Sequence, residues 1–211
     1  SVFANGGSRV RSYLIDRIED DQGRVLARTA PTVAGKNAEQ AIDPRNAFIM
    51  TSMMKDVVRY GTAVRAMSLG RTDLAGKTGT TNSSKDAWFS GYGPGVVTSV
   101  WIGFDDHRRD LGRTSASGAI KDQISGYEGG AKSAQPAWDA YMKSVLEGVP
   151  EQPLTPPPGV VTVNIDRSTG QLANGGNSRE EYFIEGTQPT TQAVHEVGTT
   201  IIDNGETHEL F

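Results

Sequence analysis

Lys77-Thr78-Gly79-Thr80, within Asp73-Leu-Ala-Gly-Lys-Thr-Gly-Thr-Thr-Asn82, puts an ammonium, three hydroxyls and two glycines on a segment that reads as an extended strand. Alternation sends the side chains of Thr78 and Thr80 to one face and that of Lys77 to the other. The lysine stem is long enough to carry its charge around the strand edge. Gly79 removes a side chain where another backbone needs to approach. A cation and hydroxyls beside an open strand edge suit an extended ligand that carries a carboxylate. The bland reading of the same residues is a polar edge strand that ends in a glycine turn.

The flanks favour the chemical reading. Arg71-Thr-Asp-Leu-Ala-Gly76 before the tetrad and Asp86-Ala-Trp-Phe-Ser-Gly-Tyr92 after it resemble the third active-site motif of penicillin-binding proteins. The likeness to the class A, bifunctional members, which polymerise and cross-link peptidoglycan, covers most of the chain. It takes in Phe3-Ala-Asn-Gly-Gly7, Val57-Val-Arg-Tyr-Gly-Thr62, Val100-Trp-Ile-Gly-Phe-Asp-Asp106, and Gly129-Gly-Ala131 with Pro136 and Trp138. It continues into Val163-Asn-Ile-Asp-Arg-Ser-Thr-Gly170 and Glu185-Gly-Thr-Gln-Pro189.

Composition is compatible with a secreted or surface-exposed globular protein. A length of 211 residues allows a proper core, with one main domain and an appendage. The 25 glycines and 10 prolines imply many turns and an irregular region. A net charge of −4 with no dense basic block argues against a nucleic-acid surface. The lack of cysteine excludes a disulfide frame, a thiolate metal site and a cysteine nucleophile. No apolar run reaches the 18 or so residues that cross a bilayer, and no signal peptide opens the sequence.

The elements that must position the tetrad can be read from periodicity. A hairpin is expected in the first thirty residues, with Tyr13 to Ile18 and Arg24 to Ala27 as strands around Asp20-Asp-Gln-Gly23. Asp43-Pro44 starts a helix with an apolar stripe of Ala47, Met50, Met54, Val57 and Val58, ended by Gly61. Strands follow over 74–80, 87–92 and 96–104, joined by turns at Ser83-Ser-Lys85 and Gly93-Pro-Gly95. Trp88, Phe89, Tyr92 and Trp101 read as sheet packing. Residues 105–130 read as a long loop, then Pro136 to Leu146 as a helix facing inward through Ala137, Tyr141, Met142 and Val145. Pro153 and Pro156-Pro-Pro-Gly159 form a stiff linker, followed by a strand over 160–165, a turn at Arg167-Ser-Thr-Gly170 and a polar tail. The expected domains are 1–150 and 151–211, the second a linker and appendage. The expected fold is α/β of the α+β type: an antiparallel sheet with packed helices.

The other candidate sites carry less. Ser52-Met-Met-Lys55 matches Ser-x-x-Lys, and helical spacing puts both residues on one side of a turn. It stands only 25 residues before Lys77, however, on the helix that precedes the strand, so it is set aside as a polar position on a helix buried through its methionines. His107, His195 and His208 are too scattered for a metal site, and Asp105-Asp106-His107 reads as a solvated strand end. No carboxylate pair suits glycoside cleavage, Asp166 reads as a turn residue, and Gly129-Gly130 as a turn.

The resemblance implies more than the residues alone. It implies the penicillin-binding transpeptidase and serine β-lactamase-like fold, incomplete in this chain, because no Ser-x-Asn motif occurs and the nucleophile of the family lies far upstream. Acyl transfer needs a nucleophile, a proton acceptor and oxyanion donors. This chain would supply part of the last, and alone it is expected to be inert. Lys77 would assist proton transfer near the absent Ser-x-Asn serine; Thr78 and Thr80 would hold the terminal carboxylate of a D-Ala-D-Ala stem peptide or of a β-lactam. Gly79 would keep the strand open to that peptide, and the Thr80 N–H would form half of the oxyanion hole. Asn82 and Trp88 would line the cleft. The implied partners are peptidoglycan stem peptides on lipid-linked glycan strands, β-lactams and the rest of the same protein, with no cofactor. The implied place is the bacterial envelope, at the periplasmic face of the cytoplasmic membrane, with an anchor and a glycosyltransferase domain preceding Ser1. A serine β-lactamase shares the Lys-Thr-Gly strand, but the match through Trp101 and the tail after Pro150 favours the synthase. A non-catalytic peptidoglycan- or protein-binding module is the remaining alternative.

Overall fold

The computed structural model describes residues 1–114, 126–194, 200–203 and 206–209. They divide into two compact units, Ser1–Pro158 and Gly159–Phe211. No helix among the described residues is long and apolar enough to cross a membrane.

The first unit opens on a short turn that ends at Gly6, whose φ of 58° is left-handed. Strand β1 (Ser8–Arg9) leads into a hairpin of β2 (Arg17–Glu19) and β3 (Val25–Arg28), and β4 (Glu39–Gln40) returns to pair with β1. The hairpin is shorter than its sequence suggests. Asp20 turns the chain by accepting the N–H groups of Gln22 and Arg24. Pairing then runs only three rungs, so Tyr13, Leu14 and Ile15 remain exposed outside the ladder.

Helix α1 (Pro44–Arg59) is capped as its sequence dictates. Asp43 Oδ1 accepts the Arg45 N–H at 2.8 Å, and Pro44 occupies the first turn, where no N–H is needed. The buried face differs from the expected methionine stripe: it is Ala47, Phe48, Thr51, Lys55 and Val58, while Met50 and Met53 are exposed. The sheet beneath α1 decides this. Tyr92 presents its hydroxyl to that of Thr51 at 2.7 Å and draws the Thr51 side of the helix inward.

Strands β5 (Ala75–Thr80), β6 (Asp86–Gly93) and β7 (Val96–Gly103) form an antiparallel meander in the order β5-β6-β7. Gly79 stands opposite Trp88, and Trp88 opposite Trp101. The four aromatics expected to pack divide between the faces. Phe89 is fully buried and meets the ring of Trp138 at 4.8 Å. Trp88 and Trp101 lie on the opposite face, 43% and 40% exposed, with centroids 6.1 Å apart.

Part of the segment expected to be a loop forms a strand pair. Strands β8 (Arg113–Thr114) and β9 (Gly126–Tyr127) pair, and the Leu111 N–H reaches the Ser84 carbonyl at 2.9 Å; positions 115–125 lie outside the described residues. A π-helical turn, Gly130–Ala134, then leads into helix α2 (Gln135–Val145). Helix α2 buries Gln135, Trp138, Asp139 and Met142, with Leu146 just beyond it, whereas Tyr141 faces out. Trp138 fixes this rotation: its indole N–H needs a partner when buried and donates to the Thr98 carbonyl at 3.2 Å.

The second unit contains a hairpin where only one strand and a polar tail were expected. Strand β10 (Val160–Asp166) pairs along its whole length with β11 (Ser178–Ile184). Fully buried Asp166 shapes the turn by accepting the N–H groups of Ser168 and Thr169 and the Asn177 side-chain amide. The Thr169 N–H and these other donors hold its carboxyl below the ordinary carboxylate range. Polar and charged side chains of 178–181 hide β11 from a pattern search, because a two-stranded ribbon needs no apolar face to form its ladder. Strands β12 (Thr200–Asp203) and β13 (Glu206–Glu209) make a further short hairpin.

Two predictions follow from these contacts. A Cβ at Gly130 would stand 2.3 Å from the Trp88 carbonyl oxygen and 2.7 Å from that of Gly79. Neither backbone atom can yield cheaply, so Gly130→Ala should cost about 1–3 kcal/mol in chemical denaturation; unchanged stability would show that the turn has room to lift. The hydrogen bond from the Arg45 side chain lowers the Asp43 carboxyl from 3.8 to about 2. Its folded pKa lies below its unfolded one, so the charge contributes fully above about pH 4 and is lost as pH falls toward 2. The melting-temperature gap between wild type and Asp43→Asn should therefore narrow from pH 4 to pH 2, and a constant gap would refute a charge-dependent cap.

Candidate functional site

Strand β5 lies at one edge of its sheet and pairs with β6 alone among the described residues. In an antiparallel ladder, the N–H and C=O of one residue point to the same side, and successive residues alternate. The Thr78 carbonyl accepts the Lys77 ammonium at 2.9 Å, so it faces the unpaired edge. Thr80, two residues on, turns its N–H the same way, while Gly79 faces β6 across from Trp88. A backbone donor at Thr80 and an acceptor at Thr78 thus stand ready for an added extended chain.

The side chains of the tetrad meet at that edge. Lys77 leaves the strand on the Trp88 face and folds back, its ammonium also 3.3 Å from the Thr78 hydroxyl. The Thr78 hydroxyl lies 2.9 Å from that of Thr62. The Thr80 hydroxyl accepts the Gly130 N–H at 3.0 Å, yet the residue remains exposed. Gly79 is half-buried, and no second strand pairs with the outer edge of β5 among the described residues. An ammonium, two hydroxyls and a free N–H within one turn of chain can bind a carboxylate and stabilise a developing oxyanion.

Two features beyond the tetrad were not singled out for this site from the sequence. Thr62 comes from the loop after α1, and only the fold brings it to Thr78. Gly130, read as part of a turn, lies flat on the Gly79–Trp88 pair and reaches Thr80. Behind it, Glu128 accepts from Lys132 at 2.8 Å and from Thr114 and Ser133. Burial works to raise the Glu128 carboxyl, but these hydrogen bonds carry it below its ordinary value, so it stays ionised and anchors the turn.

The other candidates make no side-chain hydrogen bond to Lys77, Thr78 or Thr80. Asn82 opens the turn between β5 and β6, where Ser83 and Ser84 both take left-handed φ values of 60° and 50°. Trp88 shares the Lys77 face, and Trp101 donates its indole N–H to Asp86 at 2.9 Å. Lys55 is on the buried face of α1 at the far end of β5, and Ser52 makes no hydrogen bond to it. His107 has no companion ligands; among the described residues no group of three His, Asp or Glu side chains could hold a metal ion. His195 and the side chain of His208 lie outside the described residues.

Comparison with known proteins matches this geometry to a family. Residues 1–126 match the family model of the penicillin binding protein transpeptidase domain, and 156–196 match that of the penicillin-binding protein 1A C-terminal domain. The chain is 75% identical to penicillin-binding protein 1A of Escherichia coli, an alignment that covers all of this chain and 32% of that protein. It is 53% identical to penicillin-binding protein 1A of Neisseria lactamica over 78% of this chain and 19% of the relative. The crystal structure of penicillin-binding protein 1A from Haemophilus influenzae superposes with a TM-score of 0.80 at 36% identity, covering 92% of this chain and 32% of the other. The chain therefore spans a third or less of the length of these relatives. With the open Lys-Thr-Gly strand, its sheet and the flanking helices all accounted for, the chain belongs to the penicillin-binding protein transpeptidase family.

Proposed function

We propose that this chain forms part of a peptidoglycan D,D-transpeptidase, and that the Lys77–Thr80 edge binds the acidic end of a D-Ala-D-Ala stem peptide. The observation that carries this reading is the open edge of β5, with Lys77, Thr78 and the outward Thr80 N–H converging on it. The serine nucleophile and its proton acceptor come from parts of the protein outside these 211 residues, which the greater length of the relatives supports. Residues 1–150 act as the C-terminal part of the transpeptidase domain, and 151–211 as a linker and appendage.

In this scheme the stem peptide adds to β5 main chain to main chain, and its terminal carboxylate meets the Thr78 and Thr80 hydroxyls. The Lys77 ammonium leaves the Thr78 carbonyl to face that carboxylate and to favour proton transfer at the attacking side. Serine attack on the penultimate D-alanine carbonyl produces an oxyanion, which the Thr80 N–H stabilises. The terminal D-alanine leaves, and an amine on a neighbouring strand takes the acyl group. A β-lactam, whose carboxylate stands in the same place, is held as a stable acyl-enzyme. Such a reaction places the protein in the bacterial envelope, at the periplasmic face of the cytoplasmic membrane.

Incubating the complete protein with labelled penicillin tests the reading. A long-lived adduct is expected; rapid turnover would indicate a hydrolase of the β-lactamase kind, and no labelling a binding module. Lys77→Ala should lower the acylation rate by about a hundredfold or more. Near-normal labelling of that variant would remove Lys77 from the chemistry.

A further inference from the structure

At the Ala75 end of β5, about 17 Å along the strand from Thr80, the first unit carries an open cleft of 310 Å³. Its walls come from the turn at Phe3, from the Pro44 to Lys55 side of α1, from the β6–β7 turn and from the segment around Pro153 and Leu154. The lining is mostly apolar, with Phe3, Phe48, Pro153 and Leu154 prominent. The polar groups of the wall are the hydrogen-bonded hydroxyls of Thr51 and Tyr92, the ammonium of Lys55, and Asp73, Gln152 and Thr155. A mostly apolar cleft with a few polar groups is the usual form of a ligand pocket, here at the low end of the range of about 300–1,000 Å³.

Lys55 is the informative residue. It is only 8% exposed, yet its ammonium makes no hydrogen bond or ion pair with any described residue. The acidic groups nearest in charge terms are Asp73, Glu151 and Asp56, with Arg59 opposing them. Asp73 is already engaged: it accepts the Arg71 guanidinium at 2.7 Å and the Gln152 N–H at 3.0 Å. Glu151 likewise accepts the Thr72 hydroxyl at 2.7 Å and its N–H. Burial pushes the Lys55 ammonium below its ordinary range. The ammonium is reached from the cleft rather than sealed in the core, so an anion in the cleft can meet it.

We infer that this cavity binds a small organic carboxylate with an apolar body, its charged end on Lys55 and the Thr51–Tyr92 hydroxyls, its body between Phe3, Phe48 and Leu154. A carboxylate accepts from the ammonium and from a hydroxyl at once, which matches the donors present. The volume admits a small molecule rather than a folded segment of another protein. The inference is independent of the reaction proposed for β5, because none of the Lys77–Thr80 residues lines the cavity.

Calorimetric titration of the complete protein with sodium benzoate, and separately with benzyl alcohol, provides the test. Benzoate should bind saturably at one site, and benzyl alcohol at least tenfold more weakly. Lys55→Met, which keeps the stem and removes the charge, should weaken benzoate at least tenfold. Ala4→Trp, which fills the cleft without touching the charge, should abolish binding. Unchanged thermal melting and penicillin labelling would show each variant to be folded and separate this test from that of β5. Absence of benzoate binding to the wild-type protein, or equal binding by Lys55→Met, would overturn the inference.

Discussion

Backbone meets backbone where Gly130 lies on the Gly79–Trp88 pair, and the arrangement of the first unit depends on that contact. At this spacing no side chain fits on Gly130, and a side chain on Gly79 would press on the Trp88 Cβ at 3.2 Å. The approach lets the turn before α2 lie flat on the sheet. Helix α2 is then low enough for Trp138 to reach Phe89 and the Thr98 carbonyl. The core of Val58, Leu74, Phe89, Trp138, Met142 and Leu146 closes around that position. Burying a side chain such as Leu or Met contributes about 1.5–3 kcal/mol, so losing the approach would forfeit several such terms together.

A second tie holds the other end of β5. Arg71 pairs with Asp73 and donates to the carbonyls of Val149 and Pro150, while Asp73 accepts the Gln152 N–H. Burial works to raise the Asp73 carboxyl, but the hydrogen bonds from Arg71 and Gln152 carry it below its ordinary value. The chain that leaves α2 is thereby laced to the residues that enter the strand. Strand β5 is thus fixed at both ends while its outer edge stays open, the combination a peptide-binding strand needs.

The legibility of this fold in its sequence varied with the range of the forces involved. Alternation and turn residues located the three strands of the meander to within a residue, because local pairing writes a local signal. The N-terminus of α1 was equally plain from Asp43 and Pro44. Which face of each helix turns inward was not. Apolar content favoured Met50 and Tyr141, whereas the tertiary partners of Thr51 and Trp138 chose otherwise. The β11 strand was hidden because its residues 178–181 are polar and charged. At the site, Lys77 to Thr80 could be read from residue types, but Thr62 and Gly130 join them only through contacts 16 and 50 residues apart.

The bond between the Gly130 amide and the Thr80 side-chain oxygen carries a meaning for recognition. A hydroxyl owns a single proton, and an oxygen that already receives one from an amide must aim its own elsewhere. Thr80 is thereby biased as a giver toward solvent and toward whatever lies along β5, welcoming lone pairs and offering little to a group that brings a proton of its own. A glycine fifty positions away in the chain therefore sets the polarity with which this strand greets its ligand.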